Sequence, residues 1–196
     1  MTIGRQEVEL GALLREADKL VREHLAASQP RRYAHLQGAL RRSRTSAPMF
    51  TDTDAEILRV SALVHDIGYC DSAFDTGFHA LDGARFLAGL GFPRRICNLV
   101  AHHSCAYQEA ELRDLASELA EWEDERTPLR DALWWVDMTT SPDGAVVAFS
   151  RRIAEIQERY GPGELVTRFI QQAEPELRAA VERTDERLSL AGLDQM

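Results

Sequence analysis

The sequence predicts an all-α protein of one domain. Apolar residues recur near every 3.6 positions in almost every segment, and no run keeps the two-residue period of a strand. Several segment ends also carry Pro or Gly, as at Pro30, Gly91 and Pro93. At 196 residues the chain is long enough for a substantial core and too short for two comfortable ones.

The elements follow in order. The first helix, about Gln6 to Ala27, sets Leu10, Leu13, Leu14, Ala17, Leu20 and Val21 on one stripe, and Pro30 follows it. A second, about Arg31 to Ser43, carries Tyr33, Leu36, Ala39 and Leu40. "TDTDAEILRVSALVHD" opens with capping residues at Thr51 to Asp54, then buries Ile57, Leu58, Val60, Ala62, Leu63 and Val64. "CDSAFDTGF" reads as a loop. A helix of about His79 to Leu90 stops at Gly91, and another starts at Pro93 and runs to His103. "QEAELRDLASELAEWED" reads as one amphipathic helix, with "ELAEWEDER" as a solvated face. Thr127-Pro128 starts a helix through "LRDALWWVDMTT", and "SPDG" is a turn. Two or three closing helices follow, near Val146 to Tyr160, Glu164 to Ala173 and Glu174 to Leu190.

Composition narrows the function classes. No stretch approaches the roughly 18 to 20 apolar residues of a membrane span, and the N-terminus lacks the apolar core of a signal peptide, so a cytoplasmic location is expected. Cys70, Cys97 and Cys105 form no CxxC pair and are expected to be reduced thiols. A net charge of -9 argues against a nucleic acid polymer or a membrane as partner. A small anionic substrate then needs a local positive centre, and with Lys19 the only lysine that centre is built from arginine. The amphipathic C-terminal helices suit the core or a second copy equally, which leaves a homodimer open.

The chemistry-bearing residues are His35, His65 with Asp66, His79, His102 with His103, and then Asp137. Each falls on or at the end of an apolar helix. Burying such groups costs several kcal/mol each unless they are paired, hydrogen-bonded or bound to metal. A divalent cation is the economical common partner. Imidazole and carboxylate without thiolate suit Mn, Fe, Co or Ni better than a closed zinc site or Mg, in a catalytic site of one or two ions. Neighbours on a helix diverge by about 100°, but a helix ending before Gly68 lets His65 and Asp66 turn toward one point. A carboxylate bridges two metals and a single imidazole does not, so Asp66 is the natural bridge.

The order H…HD…H…HH…D over roughly Arg31 to Asp137 resembles the HD-domain superfamily of metal-dependent phosphohydrolases. The resemblance implies an HD-type helical bundle with a motif-bearing core of about residues 31–140, covered by helices from residues 145–190. It implies that His35, His65, Asp66 and Asp137 hold one metal. His79, His102 and His103, with Asp66 bridging, are expected to hold a second or to contact substrate phosphate. The implied reaction is hydrolysis of a phosphomonoester or nucleotide, with metal lowering the pKa of bound water from about 16 toward about 7. Asp66, His79, His103 and Asp137 would serve catalysis, and Arg32 and Tyr69 would face the substrate.

Three features separate the chain from particular relatives. "HHSCAYQEAEL" lacks the Gly-Tyr-Pro ending of the motif in families that hydrolyse cyclic dinucleotides. Tyr69 stands where several relatives place a lysine, three residues after the HD aspartate. "HALDGARFLAGLGFPRRICNLVAHH" is also similar to the mixed-valent diiron oxygenases of the superfamily, which cleave organophosphonates, although "SCAYQEAEL" shows no match to their basic phosphonate-binding stretch. A diiron oxygenase and a nonenzymatic nucleotide sensor are therefore the competing readings. Blander roles are assigned to His24 (surface or cap), Trp134 and Trp135 (core), and Arg94 and Arg95 (surface ion pairs).

Overall fold

The computed structural model describes residues 3–193, with side chains from residue 11 onward. Leu10 therefore lies outside the described side chains. Ten helices run in the order α1 (Ile3–Leu25), α2 (Pro30–Ser46), α3 (Asp52–Val64), α4 (His79–Gly89), α5 (Arg94–Ala101), α6 (Ala106–Leu112), α7 (Ala116–Leu119), α8 (Pro128–Met138), α9 (Phe149–Tyr160) and α10 (Leu165–Leu190). No strand occurs among the described residues, where Thr140 and Val146 form a lone antiparallel bridge. The fold is a helical bundle.

Helix α3 is its axis. Thr51 caps it by accepting a hydrogen bond from the Asp54 amide. Leu58, Val60, Ala62, Leu63 and Val64 are all fully buried, and from Val60 onward the helix is covered on every side, packed among α1, α2, α5 and α8. Burial of each Leu or Val there contributes roughly 1.5–3 kcal/mol. The helix thus delivers its C-terminal residues, His65 and Asp66, into the interior. Helices α9 and α10 pack on each other, and α10 also lies along α8.

The loop after α3 is ordered by one carboxylate. Asp82 accepts hydrogen bonds from the backbone N–H groups of Asp75, Thr76 and Gly77. This fixes the entry into α4, whose first residue is His79. Gly68 does not act by a left-handed turn. It sits in a short 3-10 turn, Ile67–Tyr69, where a Cβ would lie 1.9 Å from the His79 carbonyl oxygen, so glycine is required by close approach of α4.

Two sequence expectations are corrected. "QEAELRDLASELAEWED" is not one helix: Asp114 is left-handed, at φ 58, and separates α6 from the single turn of α7. The break lets Trp122 reach the core at 6% exposure, beneath the Arg94 guanidinium. "ELAEWEDER" is accordingly not a solvated face, since Asp124 holds the buried Arg130 and Glu125 holds Arg95. Of the two or three closing helices expected, the structure has two, because the segments around Ala173 and Glu174 form one helix, α10, with Pro175 inside it. The missing N–H costs about 3 kcal/mol in an isolated helix. Burial of Phe169, Ile170, Ala173, Leu177, Ala180, Val181 and Leu188 along one stripe offsets it.

No described helix is long and apolar enough to cross a membrane. Cys70, Cys97 and Cys105 are buried and free. Trp134 and Trp135 are core residues, as expected, with their indole N–H groups donating to the His102 carbonyl and to Asp185.

Candidate metal centre

The site is assembled from helix ends. His65 caps α3 and Asp66 follows it, His35 comes from the middle of α2, His79 opens α4, His103 follows α5, and Asp137 lies near the end of α8. Their ring nitrogens and carboxylate oxygens converge. His35 Nε2 lies 3.1 Å from Asp137 Oδ1, and His65 Nε2 lies 3.7 Å from the same oxygen. Asp66 Oδ1 lies 3.8 Å from His65 Nε2, 3.5 Å from His79 Nε2 and 3.7 Å from His103 Nε2. Two triads of donors, each within 4.8 Å of one another, share one residue: His35, His65 and Asp66, and Asp66, His79 and His103. Asp137 adjoins the first through His35 and His65.

The chemistry of this donor set fits a cation. A carbonyl oxygen only accepts, so His35 Nδ1 must donate to the Ser141 carbonyl (3.1 Å) and His65 Nδ1 to the Ala62 carbonyl (2.9 Å). In the neutral rings both Nε2 atoms then carry lone pairs, and these face one another 3.3 Å apart in the core. Two acceptors with no donor between them are repulsive; a divalent ion resolves this. His103 Nδ1 is tied in the same way to the Val100 carbonyl at 2.6 Å, with its Nε2 turned to His79 Nε2 at 3.1 Å. Backbone carbonyls thereby set tautomer and ring direction for three of the rings, as partners of metal ligands do.

Electrostatics hold the protonation states that coordination needs. Burial pushes the Asp66 carboxyl up, but Arg32 and the surrounding histidines outweigh it and hold the group far below the usual range. Burial likewise opposes ionisation of Asp137, and the adjoining His35, with His65 and Arg152 nearby, keeps it well below. Burial depresses His79 well below the ordinary histidine value, and it depresses His103 too. Asp66 and Asp137 are thereby held ionised and His79 and His103 neutral, the states in which both group types bind metal.

The family comparison adds to this geometry. The model of the HD domain matches residues 32–137, more than half of the chain. The chain belongs to the HD-domain family. HD domains bind divalent metals and form a superfamily of metal-dependent phosphohydrolase type, and the two triads are where this one could hold metal. No curated protein and no solved structure matches the chain at a significant level.

One member of the predicted set is not brought to this HD centre. The His102 side chain points away from it, donating through Nε2 to the Trp122 carbonyl at 2.9 Å. His102 and His103 are adjacent, and the chain leaves the helix at His102 (φ -110, ψ 18), so their rings diverge. His103 joins the triad while His102 ties down the irregular segment after α7. The left-handed backbone of Ser104 and Cys105 completes this bend and aims Ser104 Oγ at Asp137 Oδ2, 2.5 Å away.

Arg32 and Tyr69 both line the cavity above the two triads. Arg32 is ion-paired with Asp66 Oδ2, the oxygen opposite the one facing the triads, and its guanidinium carbon lies over the Tyr69 ring. Tyr69 in turn stacks on His79, with centroids 4.2 Å apart and planes at 19°. Sequence reasoning missed three residues of this cavity. Arg152 and Arg159 lie on α9, outside the matched segment, and nothing in the motif marks them. Arg152 is 8% exposed and its Nη2 lies 3.5 Å from Asp137 Oδ1. Glu109 is buried on α6 beside Arg113, and burial raises its carboxyl despite that partner. Its position six residues after His103, on the inner face of a short helix, is the signal that was available.

Proposed function

We propose that this HD domain is a metal-dependent phosphohydrolase that cleaves a phosphomonoester or nucleotide. The observation that supports it best is the pairing of two donor triads, joined through Asp66, with a cavity walled by Arg32 and Arg152. Carboxylate-rich metal sites without neighbouring cations suit neutral substrates; guanidinium forks beside the metal ligands suit phosphoryl oxygens.

When bound, divalent ions supply Lewis acidity toward phosphate oxygens and make an attacking hydroxide available at neutral pH. The chain supplies the rest. Arg32, steadied by Tyr69, and Arg152 balance negative charge on the transferred group. Asp137 is oriented by the Ser104 hydroxyl and kept ionised by His35, His65 and Arg152 beside it, which suits it to align a water. Glu109 lines the same cavity and is the carboxyl most easily protonated there, so it is suited to carry a proton to the leaving oxygen. Val166, Phe169 and Ile170 of α10 close the cavity with apolar surface and limit bulk water.

The test is to strip the purified protein, reload it separately with Mn, Co, Ni or Mg, and measure phosphate release from a panel of phosphomonoesters and nucleotides. Turnover with at least one metal, lost in Asp66→Ala, is the expected result. Absence of turnover with every metal across the panel overturns the proposal. Oxygen consumption by iron-loaded protein would instead favour the oxygenase that shares these ligand types.

A further inference from the structure

The cavity over the metal ligands is small, about 80 Å³. At roughly 10–15 Å³ of such space per water it holds a handful of waters, room for a phosphoryl group but not for a whole nucleotide. A second cavity of about 390 Å³ adjoins it, and Arg32, Arg152 and Arg159 line both. Its wall adds Arg31 and Gln29, with Pro30 and Pro142, and no carboxylate lines it. In a chain of net charge -9 that concentration of guanidinium groups is not a consequence of composition.

The carboxylates that pair with these arginines do not cancel them once the centre is charged. Arg152 and Arg159 share Glu155, and Arg31 meets Asp143 in an exposed pair. Arg32 has only Asp66, and the second partner of Arg152 is Asp137, both of which belong to the metal centre. With those two engaged by cations, four guanidinium groups face two remaining carboxylates. Arg32 and Arg152 also each keep a buried Nε–H without a hydrogen-bond partner. Unpaired buried donors of that kind cost about 1–3 kcal/mol each and mark a place where an acceptor belongs.

Building on the phosphohydrolase reading, we infer that the outer cavity is an anion subsite, and that the preferred substrate carries a second phosphate or carboxylate on its leaving group beyond the scissile phosphoryl. The inner cavity takes the reacting group. The outer one takes the rest and reads its charge through Arg31, Arg152 and Arg159.

The experiment compares matched ligands on metal-loaded protein: adenosine 3′,5′-bisphosphate with adenosine 5′-monophosphate, fructose 1,6-bisphosphate with fructose 6-phosphate, and 3-phosphoglycerate with glycerol 3-phosphate. Affinity is measured by calorimetry and phosphate release in parallel. In at least one pair the doubly anionic member binds tenfold or more tightly, and which pair does so shows whether the second group comes from a nucleotide, a sugar or an acid. Arg31→Ala and Arg159→Ala, on exposed or half-exposed positions, reduce that ratio to threefold or less while metal content stays at the wild-type level. Equal affinities within every pair, or a ratio untouched by both variants, overturns the subsite. Phosphate release without charge preference leaves the hydrolase and removes the subsite; charge preference without phosphate release does the reverse.

Discussion

The guanidinium of Arg32 lies 3.4 Å above the ring centroid of Tyr69. The positive charge beside Asp66 arrives from α2, and the tyrosine is its platform. A desolvated cation–π contact is worth about 2 kcal/mol. Tyr69→Phe keeps the ring face and is expected to retain most phosphate-releasing activity, whereas Tyr69→Ala lowers kcat/KM roughly ten- to thirty-fold through a misplaced Arg32. Equal kinetics for the two variants would show that the ring does not position the arginine.

Metal stoichiometry separates the two halves of the centre. His35→Ala weakens the first triad and His79→Ala the second, so each variant is expected to lose one ion preferentially, while Asp66→Ala loses both. His102→Ala keeps wild-type metal content, because its ring serves the Trp122 carbonyl, and costs about 1 kcal/mol of stability. Elemental analysis after dialysis reads all four variants at once. A drop in metal content in His102→Ala would return that residue to the ligand set.

Removing metal is expected to lower the melting temperature, since a ligand present at one hundred times its Kd stabilises by about 2.7 kcal/mol. The stripped protein should show a marked pH dependence. Burial depresses His79, His102 and His103 in the folded state. Below their ordinary value near 6.5 the unfolded chain therefore takes up protons that the folded one refuses, and stability falls as pH falls. The depressed Asp66 and Asp137 remain ionised in both states until pH approaches about 4, so the fall between pH 7 and 5 belongs to the histidines. Thermal melts in chelator across that range test it; a melting temperature that is flat or rises on acidification contradicts the assignment.

Gly68→Ala is expected to destabilise by about 3 kcal/mol or more, because the added methyl meets backbone atoms of His79 and Gly83 that cannot rotate away. Denaturant unfolding of apo-protein gives the number, and a loss below about 1 kcal/mol would mean that α4 shifts easily.

The ligand order was legible in the sequence because each ligand needs only a place in the chain, and five segments each advertised one. Ring direction was not. His102 and His103 are equivalent as letters, and a change of backbone conformation between them separates their roles. The helix break at Asp114 was hidden because "QEAELRDLASELAEWED" is periodic throughout; the advantage of breaking it, burial of Trp122, is a tertiary contact. Arg152 and Arg159 were illegible for a related reason. On α9 they sit about two turns apart in a charged segment, and only the docking of that helix over the centre distinguishes them from surface arginines.

The family match stops at Asp137, yet His35 takes its direction from the Ser141 carbonyl, and Gly144 lies so close to α2 that a Cβ on Gly38 would fall 2.4 Å from its Cα. A fragment trimmed to the matched boundaries would therefore keep every metal ligand and forfeit the brace that aims one of them. The portable unit of this protein is larger than its signature, and grafting the centre into another scaffold requires carrying the "SPDG" turn along with the histidines.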